Sequence, residues 1–425
     1  MAEQKKTFME LVNEALSKKM LPTLMNFFNK SVFNIIKNSM VSVMPFILVG
    51  SLMLLISLLG TTAMGTEKPI IPFLSKYTEQ IGLLNSMTMG FMTLYFAVSI
   101  GINFAEQYKL DKTSCALLNL MSFLMINIDT IADGKIDVSY FSAKGVFPTM
   151  ITSLIALNIY RTFIKKDIRI AMPESVPPAV GQAFSSLIPY AVVAVFYWFI
   201  RTILQFEFTV AMQYVLQPVF SGADNIIAFA LYAAFSKILW SFGIHADSLF
   251  QGILDPIKYT WIAENGVAVA AGNTIPHIWS TAVERTCLWT GPVVGLLIIL
   301  MFSKIKHLKT FSITSFPAAM FSIIEPVIFG LPLMMNPILF IPFVLSSLVC
   351  ALVTYGTVML DLVNKPFLEL PWATPPLLIG FIASGDWKYI ILTVINILIG
   401  AAIYYPFVKA FEREELKRME EEEEI

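Results

Sequence analysis

Charge is what this 425-residue chain has least of: Asp, Glu, Lys and Arg together make up 14% of it, against about a quarter in an ordinary soluble domain. With 56% hydrophobic residues and a mean hydropathy of +0.72, a soluble globular protein is excluded. The formal charge is −1, so the basic excess that an electrostatic nucleic-acid binder needs is missing too. There are three cysteines, Cys115, Cys287 and Cys350, each in or beside an apolar stretch. They offer no disulfide framework and no CxxC pair, and read as small hydrophobes packed in helices. No GxxxxGK[ST] phosphate loop, GxGxxG, HExxH, heme or zinc spacing occurs. The sequence therefore implies no cofactor and no metal, and any reactive group must arrive on a partner. The first 30 residues are charged, which does not fit a cleavable signal peptide.

What is abundant is aromatic and aliphatic surface: 34 Phe, 14 Tyr and 7 Trp rule out disorder and leave a polytopic membrane protein. A bilayer core needs about 20 apolar residues per helix. Apolar runs predict ten spans, at roughly 38–59, 87–105, 114–128, 145–164, 184–204, 225–243, 285–303, 336–360, 372–384 and 388–408. Before them, Phe8, Leu11, Val12, Ala15 and Leu16 fall on one helical face, with lysines at the ends, and predict an amphipathic helix on the inner leaflet. The stretches 244–284 and 310–335 are broken by Gly, Pro, Asn, His and Glu, which membranes tolerate where protein or water satisfies the backbone; they predict two re-entrant hairpins. The fold class is thus all-α and polytopic. The expected segments are 1–37 interfacial, 38–205 an amino-terminal half, 206–410 a carboxy-terminal half, and 411–425 a charged tail. Lysines and arginines put both termini in the cytoplasm, but this topology leaves KIKHLK, 304–309, outside, against the charge rule.

Ionisable groups in apolar surroundings cost several kilocalories unless paired, so they are the first functional candidates. His245 and Asp247 follow the sixth span, with Lys237 and Trp240 one to two turns earlier; Asn273 and His277 lie in the broken stretch; Glu325 sits between an isoleucine and Pro326; Glu369 and Trp372 precede the ninth span. Bland roles fit some of them. Asp247 reads as the cap of a helix starting at Ser248, Lys237 as a snorkelling or paired side chain, and Trp240 and Trp372 as interfacial-belt residues. For His277 a packed histidine and a ligand fit alike. Tryptophan beside polar groups also suits a sugar face. On residues alone, a group-transferring sugar permease and a proton-coupled secondary sugar transporter stay equally open.

The segments GIHADSLFQGILDP, AGNTIPHIW and SIIEPVIFGLPLMMNP, in that order, resemble the membrane IIC component of the lactose, cellobiose and N,N'-diacetylchitobiose branch of the bacterial phosphoenolpyruvate-dependent phosphotransferase system. The resemblance runs nearly the whole chain. It implies a multi-pass protein of the bacterial inner membrane, a homodimer joined through its amino-terminal half, with the sugar in the carboxy-terminal half. It implies a disaccharide substrate of the cellobiose or diacetylchitobiose kind, phosphorylated on a C6 hydroxyl by a separate phosphocysteine IIB protein, with IIA, HPr and enzyme I upstream. The chain would be the membrane subunit of a protein-phosphocysteine-sugar phosphotransferase. Carried over by residue, His245 and Glu325 would be catalytic, meeting the hydroxyl that receives the phosphoryl group. Asn273, His277, Trp240 and Trp372, with Asp247, would hold the sugar.

Overall fold

The computed structural model describes residues 30–423 apart from 63–67, 129–130, 133–134, 171, 174–175, 209, 212–213, 215–221 and 332–336. The amphipathic helix expected before residue 30 lies outside the described residues. The described chain is helical except for one antiparallel pair of two-residue strands, β1 (Ile131–Ala132) and β2 (Lys135–Ile136). The first group of helices is α1 (Ser31–Leu59), α2 (Thr78–Thr88), α3 (Met92–Tyr108), α4 (Lys112–Asn127), α5 (Val146–Lys165) and α6 (Pro178–Trp198). The second is α7 (Ile226–Ser241), α8 (Ala246–Ala270), α9 (Thr281–Met301), α10 (Lys306–Ala319), α11 (Glu325–Gly330), α12 (Pro337–Met359), α13 (Pro376–Ser384) and α14 (Lys388–Glu423). Each group has its own buried apolar cluster, one centred on residues such as Met40, Phe96 and Tyr160 and the other on Trp240, Leu296 and Phe343. Tyr259, Ile262 and Ala263 of α8 belong to the first cluster, so α8 joins the two groups.

Local chemistry sets where the helices begin. Asp111 caps α4 by accepting from the Ser114 N–H at 2.7 Å, and Asn225 caps α7 by accepting from Ile227 and Ala228 at 2.9 Å each. Such caps satisfy amides that have no partner inside the helix. Six helices among the described residues are long and apolar enough to cross a membrane: Ser31–Leu59, Thr78–Tyr108, Ala183–Ile203, Thr281–Met301, Ile338–Met359 and Lys388–Glu421.

Contacts fix the relative direction of the helices. Glu412, in the tail part of α14, lies beside Ser303 and Lys304, just after α9. Asn396 of α14 donates to Thr286 O at 3.1 Å, and a Cβ on Gly400 would collide with the Gly291 carbonyl, so α9 and α14 run parallel in near backbone contact. Ser347 of α12 donates to Ala233 O of α7, and Tyr355 donates to Asp224, so these two are antiparallel. Gly252 of α8 faces Phe33 of α1 and Gly266 faces Leu54, so α8 and α1 are parallel. Gln107 donates to Ser31, and the Arg161 guanidinium lies 3.6 Å from the Tyr108 ring. The starts of α1 and α10 and the ends of α3, α5, α9 and α14 thus share one end of the bundle, called here the tail end.

This arrangement corrects two expectations. The stretch 244–284 is no hairpin: it is the single helix α8, 25 residues or about 37 Å at 1.5 Å per residue, followed by an extended run to α9. The apolar run 372–384 is no crossing, because α13 has nine residues, about 14 Å, against a hydrocarbon core of about 30 Å. The segment 361–386 instead leaves the far end and returns to it, since Asn364 N–H donates to Asp386 and Phe367 and Leu368 N–H donate to Ala383 O. From the tail end, α10 and α11 make the matching excursion, with the Phe311 ring packed on Gly330. These exchanges shift the parity of the chain, and KIKHLK falls at the tail end with the other basic turns.

Candidate functional site

α8 is polar for a helix at bundle depth, and it carries its own compensation. Asp255 and Lys258 face each other at i,i+3 with 3.4 Å between Oδ1 and Nζ, and the Lys258 ammonium also reaches Glu284 Oε2 at 3.1 Å. Glu284 Oε1 accepts from the Trp279 indole at 2.7 Å. A buried ion pair is retained only where its remaining hydrogen-bonding capacity is met, and here it is. Pro256 inside α8 removes one helical hydrogen bond, and Thr260 turns its hydroxyl onto the Pro256 carbonyl at 2.8 Å.

Beside this cluster opens a small cleft of about 70 Å³ that is continuous with the space outside. α1 contributes Met44 and Leu48; α7 contributes Tyr232; α8 contributes Asp247, Gln251, Asp255 and Lys258; α9 contributes Glu284 and Arg285; the returning segment contributes Glu369 and Trp372. Asp247 accepts from Tyr232 OH at 3.3 Å. Arg285 is the exception among the charges. It has no hydrogen bond or ion pair among the described residues, and its Nε is buried without an acceptor. Its guanidinium lies 4.2 Å from the Trp289 ring centre and 6.0 Å from that of Trp372, which is 48% exposed. A planar donor fork left free next to an open indole face is an arrangement that receives hydroxyls and stacks a sugar ring.

His245 closes α7 and starts α8. Its Nδ1 is the N-cap acceptor for the Ser248 N–H at 3.2 Å, with the Ser248 hydroxyl at 3.1 Å. An Nδ1 that accepts leaves the neutral ring's proton on Nε2. That Nε2 points to Glu325 Oε1 at 3.7 Å, beyond hydrogen-bond length, and both side chains are 44% exposed. A hydroxyl oxygen seated to one side of the pair is within reach of both atoms. Trp240 packs behind His245 with the two rings tilted and their centres 4.4 Å apart, and it is buried, so it backs the histidine and offers no open face.

The sequence-predicted residues therefore divide. Asp247 and Trp372 line the cleft, while His245, Trp240 and Glu325 form a group of their own at the start of α8, outside that lining. Asp247 is not the cap expected for it; His245 takes that role, and Asp247 lies in the first turn facing the cleft. Asn273 and His277 are carried away by α8 to the far end. His277 is held between Asp224, 3.2 Å from Nδ1, and Glu264, 2.8 Å from Nε2, with its ring stacked on Trp261. Burial opposes its charged form, yet the hydrogen bonds to the two carboxylates and their charge outweigh burial and hold His277 above the usual histidine range. Burial opposes the charge on Asp224, but its hydrogen bond with His277, together with those it accepts from the N–H groups of Trp279 and Ile278 and from Tyr355, holds its carboxyl below the usual range. Both imidazole nitrogens are thus engaged within the protein. Asn273 lines a separate recess between α1, α8 and the 85–90 segment. Arg285, Lys258 and Glu284 were missed by sequence reading; the i,i+3 pair of Asp255 and Lys258 in DPIK was the signal for Lys258 alone.

With this geometry in place, comparison with known proteins adds the following. The family profile described as phosphotransferase system, EIIC, matches residues 37–347. The chain is 29% identical over 436 aligned residues, 96% of each chain, to the oligo-beta-mannoside-specific EIIC component of Bacillus subtilis. It is 27% identical to the cellobiose-specific EIIC component of Geobacillus stearothermophilus, covering 89% of each. Among solved structures it resembles the transporter ChbC, the IIC component of an N,N'-diacetylchitobiose-specific phosphotransferase system, with a TM-score of 0.87 and 27% identity over 95% of this chain and 99% of that one.

Proposed function

The chain belongs to the phosphotransferase system EIIC family, and from that premise we propose that it is a group-translocating permease for a cellobiose-type disaccharide. The sugar occupies the cleft, with one ring against Trp372 and hydroxyls on Arg285 and Asp247. Its C6 hydroxyl lies between His245 and Glu325, toward the tail end, which faces the cytoplasm. There a separate phosphocysteine IIB protein delivers the phosphoryl group. The ten crossing segments are α1, α2–α3, α4, α5, α6, α7, α8, α9, α12 and α14, and the protein works as a homodimer.

The observation that carries this reading is the 3.7 Å gap between His245 Nε2 and Glu325 Oε1. Phosphoryl transfer asks little of the acceptor site beyond placing the hydroxyl and taking its proton. Glu325 accepts that proton, and the Nε2–H of His245, its tautomer set by the cap, donates to the hydroxyl oxygen and fixes its direction.

Glu325→Gln tests the assignment. It keeps the shape and a hydrogen bond but removes the base, so disaccharide binding in detergent stays within several-fold while transfer from phosphorylated IIB falls about 100-fold or more. Equal losses of binding and transfer would make Glu325 a ligand instead. Transport of unmodified sugar driven by a proton gradient, with no phosphorylated product, would replace this reading with a proton-coupled carrier.

A further inference from the structure

A far larger opening than the cleft lies at the far end of the bundle. It is the recess that Asn273 borders, about 840 Å³ and continuous with the space outside. α8 forms one wall; α1, the 85–90 segment and residues 142–144 form the other. The lining is apolar over most of its length, with Leu54 and Met89 on one side and Ala263, Val267 and Ala270 on the other. It contains no aromatic ring, so nothing there stacks a sugar. Water fills such a space poorly, because an ordered water needs about two to four polar partners. Val267 is 69% exposed, and Leu84 and Met87, beside the lining residues Asn85 and Ser86, are 50% and 51% exposed. The apolar wall therefore runs on into the surface that meets the bilayer.

The polar part of the lining sits at a definite depth. α5 has 20 residues, about 30 Å, which matches the hydrocarbon core. Lys144 stands two residues before α5 begins, at the level of the phosphates of that leaflet. Its side chain lines the recess, is exposed, and has no hydrogen bond or ion pair among the described residues. Glu264, the acid of the lining, is tied to His277 at 2.8 Å. An apolar length that ends on one unpaired cation at headgroup depth suits an amphiphile with a negative head.

We propose that this recess binds an anionic phospholipid of the leaflet at the far end, of the phosphatidylglycerol kind. An acyl chain lies along Met89, Ala263 and Val267, and the phosphate meets Lys144. Phosphatidylethanolamine fits less well, because its ammonium would lie beside Lys144 while Glu264 is already engaged. The site is independent of where the sugar binds and takes no part in phosphoryl transfer.

The test reconstitutes the full-length protein in vesicles of phosphatidylglycerol and phosphatidylethanolamine in equal amounts. Lipid that stays bound after extraction in detergent is counted by native mass spectrometry, and a phosphatidylglycerol with a photoreactive group in its acyl chain locates it. The expected result is one retained lipid per chain, phosphatidylglycerol preferred about fivefold, with crosslinks on residues 263–271. Lys144→Gln removes the preference while the crosslinks persist. Val267→Trp, at an exposed position, fills the recess and removes the crosslinks from a protein that stays monodisperse; if it does not accumulate, Ala271→Leu takes its place. Crosslinks spread evenly over the lipid-facing helices, or a preference that Lys144→Gln leaves unchanged, would overturn the proposal. So would a wild-type dimer whose second copy covers the recess and excludes the probe.

Discussion

His245 shows how one side chain serves two purposes. Its Nδ1 caps α8 and its Nε2 faces Glu325, so the two roles separate by substitution. Asn is a good N-cap but offers nothing in place of Nε2–H at the same reach. His245→Asn is therefore expected to keep the wild-type melting temperature in detergent and to lose sugar phosphorylation. His245→Ala loses phosphorylation and about 1 kcal/mol of stability besides. A His245→Asn variant that transfers phosphate normally would remove the imidazole from the chemistry. At this scale the sequence singled out Glu325 because an ionisable residue stands there among apolar neighbours. It was least informative for Arg285 and Glu284, which open a hydrophobic run and so read as the edge of a span. For His277 the spacing to Asn273 says nothing of which end of the bundle the two reach.

Among elements, α8 and the connection after it matter most. Asn265 holds that connection by donating to His277 O at 2.8 Å and Pro366 O at 2.7 Å, and Asp224, His277 and Glu264 pin its end. The signs of the two titrations define the window of this latch. His277 is raised in the folded state, so its contribution is complete below its unfolded value of about 6.5 and is lost as pH climbs through the folded value. Asp224 is lowered, so its share is present above about 3.9 and is lost as pH falls below that. Raising the pH from 6 to 9 should therefore lower the thermal midpoint of the wild type in detergent, and His277→Gln should flatten that dependence. An identical pH profile for both would show that the latch contributes nothing to stability. The hairpin expected over 244–284 gave way to α8 because Asp255, Lys258 and Glu284 satisfy one another, which hydropathy cannot register. Over 310–331 α10 ends at Ala319 and α11 starts at Glu325, with Phe311 packed against Gly330.

Across the whole molecule, basic residues collect at one end. Lys109, Lys112, Arg161, Lys165, Lys304, Lys306 and Lys309 share the tail end, and the charge rule assigns that end to the cytoplasm. A cysteine placed at Lys309 should react with a membrane-impermeant thiol reagent in inside-out vesicles and stay unreacted in right-side-out ones; the three native cysteines are buried. Reaction in right-side-out vesicles would invert the topology. The measurement closest to the central claim is phosphorylation by membranes containing this protein, supplied with phosphorylated IIB and labelled cellobiose, diacetylchitobiose and lactose. The account predicts a 6-phosphorylated disaccharide whose formation needs both proteins and is abolished by Glu325→Gln. Uptake of sugar with no phosphorylated product, in the presence of an active IIB partner, would contradict it.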